Sequence, residues 1–374
     1  MGNAAILIVG LSARPFVVAA KAAGFQVTAI DGFTDAQTLA LADHTIMVDF
    51  DEHGFKADDL LNIVSQFESS RFQGFVYASG FDAQPELLQK IASYIPLMGN
   101  SVPTVSAVKT GASFFNALQK LDIPHPQILN TWPNGGKYLK KSAGGCGGTH
   151  ISIATPKCRL DNNQYFQEYI DGRPVSLLFL AQHNTVETIG FNEQWLNASE
   201  KTLFRYGGAV GNIELPLDIQ QQLIQAAQKL TLEFGLIGLN SLDALIENGT
   251  AYVLEVNPRL SATFDLYEDA DLFNRHLQAV MNEKTVNKQF NKKLMNKKLN
   301  LSKAHAIVYA VEDMTISPSF DWPQWVTDTP ALQNEAIHLK AGQPVCTVFA
   351  NAENAEAAKQ LVMARVKMLH SAFR

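Results

Sequence analysis

Cysteine is scarce in this chain: Cys146, Cys158 and Cys346 are the only three among 374 residues. An odd count at such wide spacing excludes a disulfide framework and provides no paired-cysteine zinc site. A surplus of positive charge is missing too. With 30 Lys and Arg against 36 Asp and Glu, the net charge is −6, so there is no electrostatic footprint for a phosphate backbone and nucleic acid is not an expected partner. No apolar run reaches the ~20 residues that a bilayer span needs. The opening MGNAAILIVG lacks the basic region and cleavage site of a secretory signal. These absences argue against a membrane partner and make the cytoplasm the expected location. What remains is an ordinary globular composition, 47% hydrophobic and 18% charged, at a length that calls for two or three packed subdomains.

The first hundred residues read as a small doubly wound α/β unit. Ala4 to Gly10 is an unbroken apolar run closed by glycine, the pattern of a strand buried on both faces. A helical stretch ending at Gly24 follows, then a second strand, FQVTAID, and further strands at HTIMVDF and GFVYASG. A dinucleotide site would be the usual inference for such a unit. The first turn, however, reads GLSARP, with Arg14 and Pro15 where GxGxxG needs glycine. Beyond Asn100 the expected elements are a helical stretch from Ser101 to Leu121, a hairpin carrying a glycine loop, and a strand-turn-strand over NNQYFQEYIDGRPVSLLFLAQ. An amphipathic helix over Pro216 to Phe234 follows, then a hairpin turning at Asn248-Gly249, two later strands and a closing helix. The Lys- and Asn-rich stretch from Asn287 to Lys303 reads as a solvated helix or linker.

The hairpin LNSLDALIENGTAYVLEVNPRL carries the clearest chemistry. Strand alternation places Glu255 and Asn257 on one face, and hairpin pairing brings Asp243 beside them. Two carboxylates and an amide oxygen suit a hard cation such as Mg²⁺, with Mn²⁺ as the alternative, and do not suit zinc. A solvent-facing polar stripe is the plainer reading. It fits poorly with the apolar residues around them, because burying an unpaired ion costs several kcal/mol. Arg259 continues the alternation onto the same face, where a guanidinium would stabilise charge on a transferring phosphoryl group.

The glycine loop KKSAGGCGG offers backbone N–H groups to phosphate oxygens, with Lys141 adding a positive charge. It is not a Walker A loop, since GxxxxGK[ST] is absent. Cys146 and His150 in the same loop are a conceivable nucleophile and base, although a glycine-rich stretch holds them poorly and a packing role is the simpler one.

Together these pieces resemble the ATP-grasp superfamily of carboxylate–amine ligases. The order of a small α/β domain, LKKSAGGCGG, QEYIDG, LDALI and LEVNPRL matches over roughly Ile6 to Tyr267. The resemblance implies an α/β (α+β) ATP-grasp fold in three parts. Residues 1–100 would be a Rossmann-like pre-ATP-grasp domain, 101–172 a central subdomain with the flap, and 173–374 a carboxy-terminal subdomain with the metal site. It also implies that Lys141 contacts ATP phosphates beneath a mobile flap of Gly144, Gly145, Gly147 and Gly148. Gln167 would flank the adenine, and in the hinge Glu168–Tyr169–Ile170 the backbone of Glu168 and Ile170 would pair with its edge. Asp243, Glu255 and Asn257 would hold magnesium, and Arg259 would stabilise the transferring phosphoryl group.

This sequence departs from the family's pattern at two places. Where many members carry a ribose carboxylate, it has Pro174; where they carry a second phosphate lysine, it has Gly111, with Lys109 as an off-register stand-in. The chemistry implied is activation of a carboxylate as an acyl phosphate by ATP, followed by attack of an amine. GFNEQWL and FRYGGAVGN resemble the branch that includes the tyramine–glutamate ligases of methanofuran biosynthesis. That likeness implies an amino acid such as glutamate as one partner, in a cofactor pathway of one-carbon metabolism. Arg205 and Tyr206 are candidates for its carboxylate, beside a plain loop role. The alternatives are another ATP-grasp ligase or carboxylase of nucleotide or peptide synthesis, and a nucleotide-binding protein without turnover. Assembly is open, a homodimer being the commonest soluble outcome.

Overall fold

The computed structural model describes residues 4–51, 53–133, 135–267, 271–281, 301–331 and 335–373. Most of the basic stretch, residues 287–300, lies outside them. Three sheets carry the fold. In the amino-terminal sheet His44–Met47, Gln26–Asp31, Ala5–Gly10 and Phe75–Tyr77 lie side by side, all parallel. Parallel strands need crossovers and cover on both faces, which explains the unbroken apolar run of the first strand and helices such as Arg14–Ala22 and Ala57–Ser65.

A dinucleotide does not fit the first turn. The Asp31 carboxylate accepts from the backbone N–H groups of Ala13, Phe33 and Thr34 at 2.8–3.1 Å. Burial pushes its pKa up to about 6. Arg14, beside it, is held by Asp265 and Asp328. The Asp31 carboxylate and the Arg14 guanidinium are thus both engaged within the chain.

The second sheet orders Ile128–Leu129, Gln164–Glu168, Tyr138–Ser142 and Ile151–Ile153, all antiparallel. The third has eight antiparallel strands, running from Thr250–Asn257 at one edge through Gly238–Glu247, Arg173–Gln182, Thr185–Leu196, Tyr206–Gly211, Ser302–Tyr309 and Pro344–Ala352 to Val326–Thr327. Two of its strands, Thr185–Leu196 and Tyr206–Gly211, carry no clear alternation of apolar residues and are not evident in the sequence.

Along Arg173–Gln182 the period of two is visible in the packing. Val175, Leu177, Phe179 and Ala181 point into one core, shared with the helix Leu217–Phe234, while Leu178 and Leu180 point into another with Phe16 and Val17 of the first helix. The helices Val102–Lys109 and Gly111–Lys120 contribute Val108, Phe114, Phe115 and Leu118 to the core of the large sheet. The central segment therefore shares a core with the carboxy-terminal one. Among the described residues no helix is long and apolar enough to cross a membrane.

Candidate active site

The site forms where the outer hairpin of the large sheet meets the carboxyl ends of the amino-terminal strands. The hairpin turns at Asn248-Gly249, both with positive φ (49° and 78°), as a two-residue turn matched to strand twist requires. Its pairing contains a bulge: Asp243 lies opposite Glu255, but the next residue, Ala244, lies opposite Val253. The extra residue, Leu254, changes the phase of the strand. Ala251, Val253 and Val256 all enter the core, and Glu255 and Asn257 face away from it. A strict alternation would have put Val253 on the same face as Glu255.

Asp243 accepts from Asn257 Nδ2 at 3.1 Å and from Gln194 Nε2 at 3.3 Å. Burial and the neighbouring Glu255 push its carboxyl up to about 7. Glu255, 42% exposed at its side chain, is held below its usual range despite burial of its surroundings, through Lys109, His150 and Lys141.

Three cations converge on these oxygens. Lys109, at the end of its helix, donates to Asn257 Oδ1 at 2.9 Å and lies 3.1 Å from Asp82 and 3.5 Å from Glu255. Arg259 donates through Nε to both Asp82 oxygens at 2.9 and 3.1 Å, and through Nη2 to Asn257 Oδ1 at 3.2 Å. The backbone before it is fixed from the amino-terminal unit, since Pro258 O accepts from Tyr77 Oη at 2.7 Å and from Asn100 Nδ2 at 2.9 Å. Lys141 is buried on Tyr138–Ser142. Burial pushes its pKa down while Glu255 and Asp243 pull the other way, and it has no salt-bridge partner among the described residues.

Asp82 escapes a reading of the sequence. Buried and flanked by Arg259 and Lys109, it is held below the ordinary carboxylate range although burial alone would raise it. The available signal is its place just past a strand of a parallel sheet, at the carboxyl end where such sheets hold ligands.

The glycine loop lies down on this cluster. Gly144 and Gly148 have φ of +74° and +76°, and a side chain would run into the backbone of Asp82–Ala83 at the first and of Phe204 at the second. Gly145 has the His150 ring where its Cβ would stand, while Gly147 borders open space. Tyr206 N donates to Gly147 O at 3.0 Å, tying the loop to the large sheet. A narrow cleft lined by Leu11, Gly80, Asp82, Ala83, Gly144 and Cys146 runs beside it. A larger cavity, about 220 Å³, lies at the opposite end of the amino-terminal sheet beside Gln26, Asp43 and Arg71, and none of the Asp82, Asp243 or Glu255 cluster lines it.

The hinge residues occupy the end of Gln164–Glu168. Gln167 is buried with its Oε1 unpartnered. Glu168 is bound to Gln127 through its N–H at 2.8 Å and its Oε2 at 3.1 Å. Tyr169 is exposed, and Ile170 is half-buried just beyond the strand. Pro174 sits in register with Leu245 in the large sheet.

No side-chain hydrogen bond joins Cys146 to His150 among the described residues. Burial pushes the Cys146 thiol up and the His150 imidazole down, and His150 Nδ1 is buried without a partner. Arg205 donates to Asn197 O, Asn197 Oδ1 and Gly342 O at 2.6–3.1 Å and stacks 3.7 Å over Tyr309. It is an anchor for the loop. Tyr206 Oη pairs with His305 Nε2 at 2.7 Å.

Among the described residues no three His, Cys, Asp or Glu side chains form a metal-holding group. The oxygen set here is two carboxylates and an amide. Adjacent carboxylates, one raised in pKa by the other, suit a hard divalent cation that completes its shell with phosphate and water.

Residues 111–263 match the model of an ATP-grasp domain family. An uncharacterized protein of Methanocaldococcus jannaschii is 22% identical over 93% of this chain and 88% of its own length. The tyramine–L-glutamate ligase of the same organism is 28% identical over 34% of this chain and 37% of its own. Among solved structures, an L-amino acid ligase from Bacillus licheniformis superposes with a TM-score of 0.69 at 13% identity, covering 97% of both chains. The biotin carboxylase domain dimer of Hydrogenobacter thermophilus 2-oxoglutarate carboxylase, in complex with MgADP, gives 0.73 at 12% identity over 96% of this chain and 88% of that one. The chain shares the fold of these solved structures over nearly its whole length, and residues 111–263 match the ATP-grasp domain family.

Proposed function

We propose that this protein is an ATP- and Mg²⁺-dependent ligase that activates a carboxylate as an acyl phosphate for attack by an amine. The observation that carries the reading is the convergence of Lys109, Lys141 and Arg259 on Asp243, Glu255 and Asn257 beneath the glycine flap. Asp243, Glu255 and Asn257 would hold the metal. The chemistry supplied there when Mg²⁺ is bound is neutralisation of phosphate charge, with Mn²⁺ able to serve the same oxygens.

Lys141, desolvated and with no salt-bridge partner among the described residues, would position the phosphates. Arg259, fixed by Asp82, stabilises charge as it develops on the phosphoryl group. The flap backbone would exclude water, and Gln167 with the backbone of Glu168 and Ile170 would hold the adenine. Neither Cys146 nor His150 is needed as a nucleophile or base. An amino acid such as glutamate is the favoured partner, within cofactor biosynthesis of one-carbon metabolism, supported by the named tyramine–L-glutamate ligase relative. We place the enzyme in the cytoplasm as a homodimer. A division at residues 100 and 172 is supported by the sheets, since the amino-terminal sheet ends at Tyr77 and the large sheet begins at Arg173.

The test is release of phosphate and ADP on mixing the protein with ATP, Mg²⁺ and an array of amino acids and amines. Release that depends on a carboxylate and an amine together is expected. Tight ATP binding with no release under any pairing would sink the ligase in favour of a nucleotide-binding protein.

A further inference from the structure

Lys109 stands where two assignments conflict. Its side chain is 5% exposed, and its ammonium group lies 2.9 Å from Asn257 Oδ1 and 3.5 Å from Glu255 Oε2, with Asp82 Oδ1 at 3.1 Å. Asn257 and Glu255 are two of the three residues assigned to the metal. An ammonium group and a divalent cation cannot share the same oxygens, because like charges a few ångströms apart in a desolvated site repel by several kcal/mol.

We propose that Lys109 is a resident cation, which holds the Glu255–Asn257 oxygens in the ligand-free protein and leaves them when a metal arrives. The inference rests on reading Asp243, Glu255 and Asn257 as the metal-holding set. Three features of the site make the exchange feasible. A lysine carries a compact charge on a flexible four-carbon stem, so it can retract without moving its helix. Asp82 remains compensated after the exchange, because Arg259 Nε holds both its oxygens independently. The arriving phosphates offer the released ammonium group a new partner, which the register of the chain otherwise denies it: the site has Gly111 where the second phosphate lysine is expected.

Metal binding then becomes conditional on nucleotide. A free divalent ion must expel Lys109 with nothing to receive it, whereas an ion arriving with ATP brings the replacement partner along.

The test titrates Mn²⁺ into the nucleotide-free protein and reads unbound ion by electron paramagnetic resonance. Lys109→Met is expected to bind Mn²⁺ at least about tenfold more tightly than the wild type, and Lys109→Arg, which keeps the charge, no more tightly. Adding Asp243→Asn to Lys109→Met should abolish the gain. Equal or weaker binding by Lys109→Met overturns the inference. So does a wild type that binds ATP yet binds Mn²⁺ as tightly without it as with it, a measurement that stands even if the variants fail to fold. A gain in Lys109→Met in a protein that binds no ATP upholds the lysine inference and removes the nucleotide reading instead.

Discussion

Two clusters of buried charge join the amino-terminal unit to the large sheet, and they are built on opposite principles. In one, Arg14 is clamped between Asp265 and Asp328 and lies over the Phe349 ring, with Lys303 3.9 Å from Asp265. Each carboxylate there faces a cation. In the other, Asp82, Asp243 and Glu255 meet Lys109, Lys141 and Arg259, so the formal charges also balance. The pairing does not. Lys109 and Arg259 both crowd Asp82, Asp243 accepts from the amides of Gln194 and Asn257 and faces Glu255, and Lys141 has no salt-bridge partner among the described residues. Mismatched partners around desolvated charges are the pattern of a functional site, and matched partners are what structural glue looks like.

The sharpest way to break this comparison is to remove one charge from each cluster. Glu255→Ala should abolish Mg²⁺-dependent ATP turnover and leave the melting temperature within a few degrees of the wild type. Arg14→Ala should do the reverse: it strands two carboxylates, costs about 3 kcal/mol of stability by denaturant unfolding, and leaves turnover per folded molecule in place. If Arg14→Ala lost turnover while keeping its stability, the division between the clusters would be wrong.

A smaller effect is expected from Lys141→Ala. Losing a preorganised phosphate contact should lower kcat/KM for ATP by about 10²-fold, and unfolding free energy should hold or rise because a desolvated cation has gone. A clear loss of stability would show Lys141 to be structural after all.

The mildest test is pH. Burial and Glu255 raise Asp243 to about 7 in the folded protein, so in the absence of metal the folded state takes up a proton that the unfolded chain releases near pH 4. This contribution favours folding at low pH and fades as pH rises through about 7. A metal ion needs the ionised form, so Mg²⁺-dependent ATP binding should weaken as pH falls below about 7. Asp243→Asn should flatten that dependence, and an unchanged profile would locate the titration elsewhere.

Much of the site was legible because one hairpin carries so much of it. The Asn-Gly turn, the period of two and three polar residues in two paired apolar strands place Asp243, Glu255 and Asn257 together without any long-range information. The bulge at Leu254 was not legible, since it depends on a cross-strand partner. Asp82 was hidden for a stronger reason: it lies 177 residues from Arg259 in the chain, and only the folded topology makes them neighbours. Lys109 looked misplaced by two positions, yet a long side chain at a helix end reaches the cluster anyway. The strands Thr185–Leu196 and Tyr206–Gly211 were obscured because their partners on both sides, and not their own apolar spacing, hold them in the sheet.

The bond from Tyr206 N to Gly147 O fastens the loop over the site. One backbone hydrogen bond contributes about 1 kcal/mol net, so this fastening alone would leave the loop detached roughly one time in six. A catch so light adds little delay to the traffic of nucleotide in and product out. How long a ligand stays would be governed by the phosphate contacts beneath, which makes residence time a property of the cargo and not of the door.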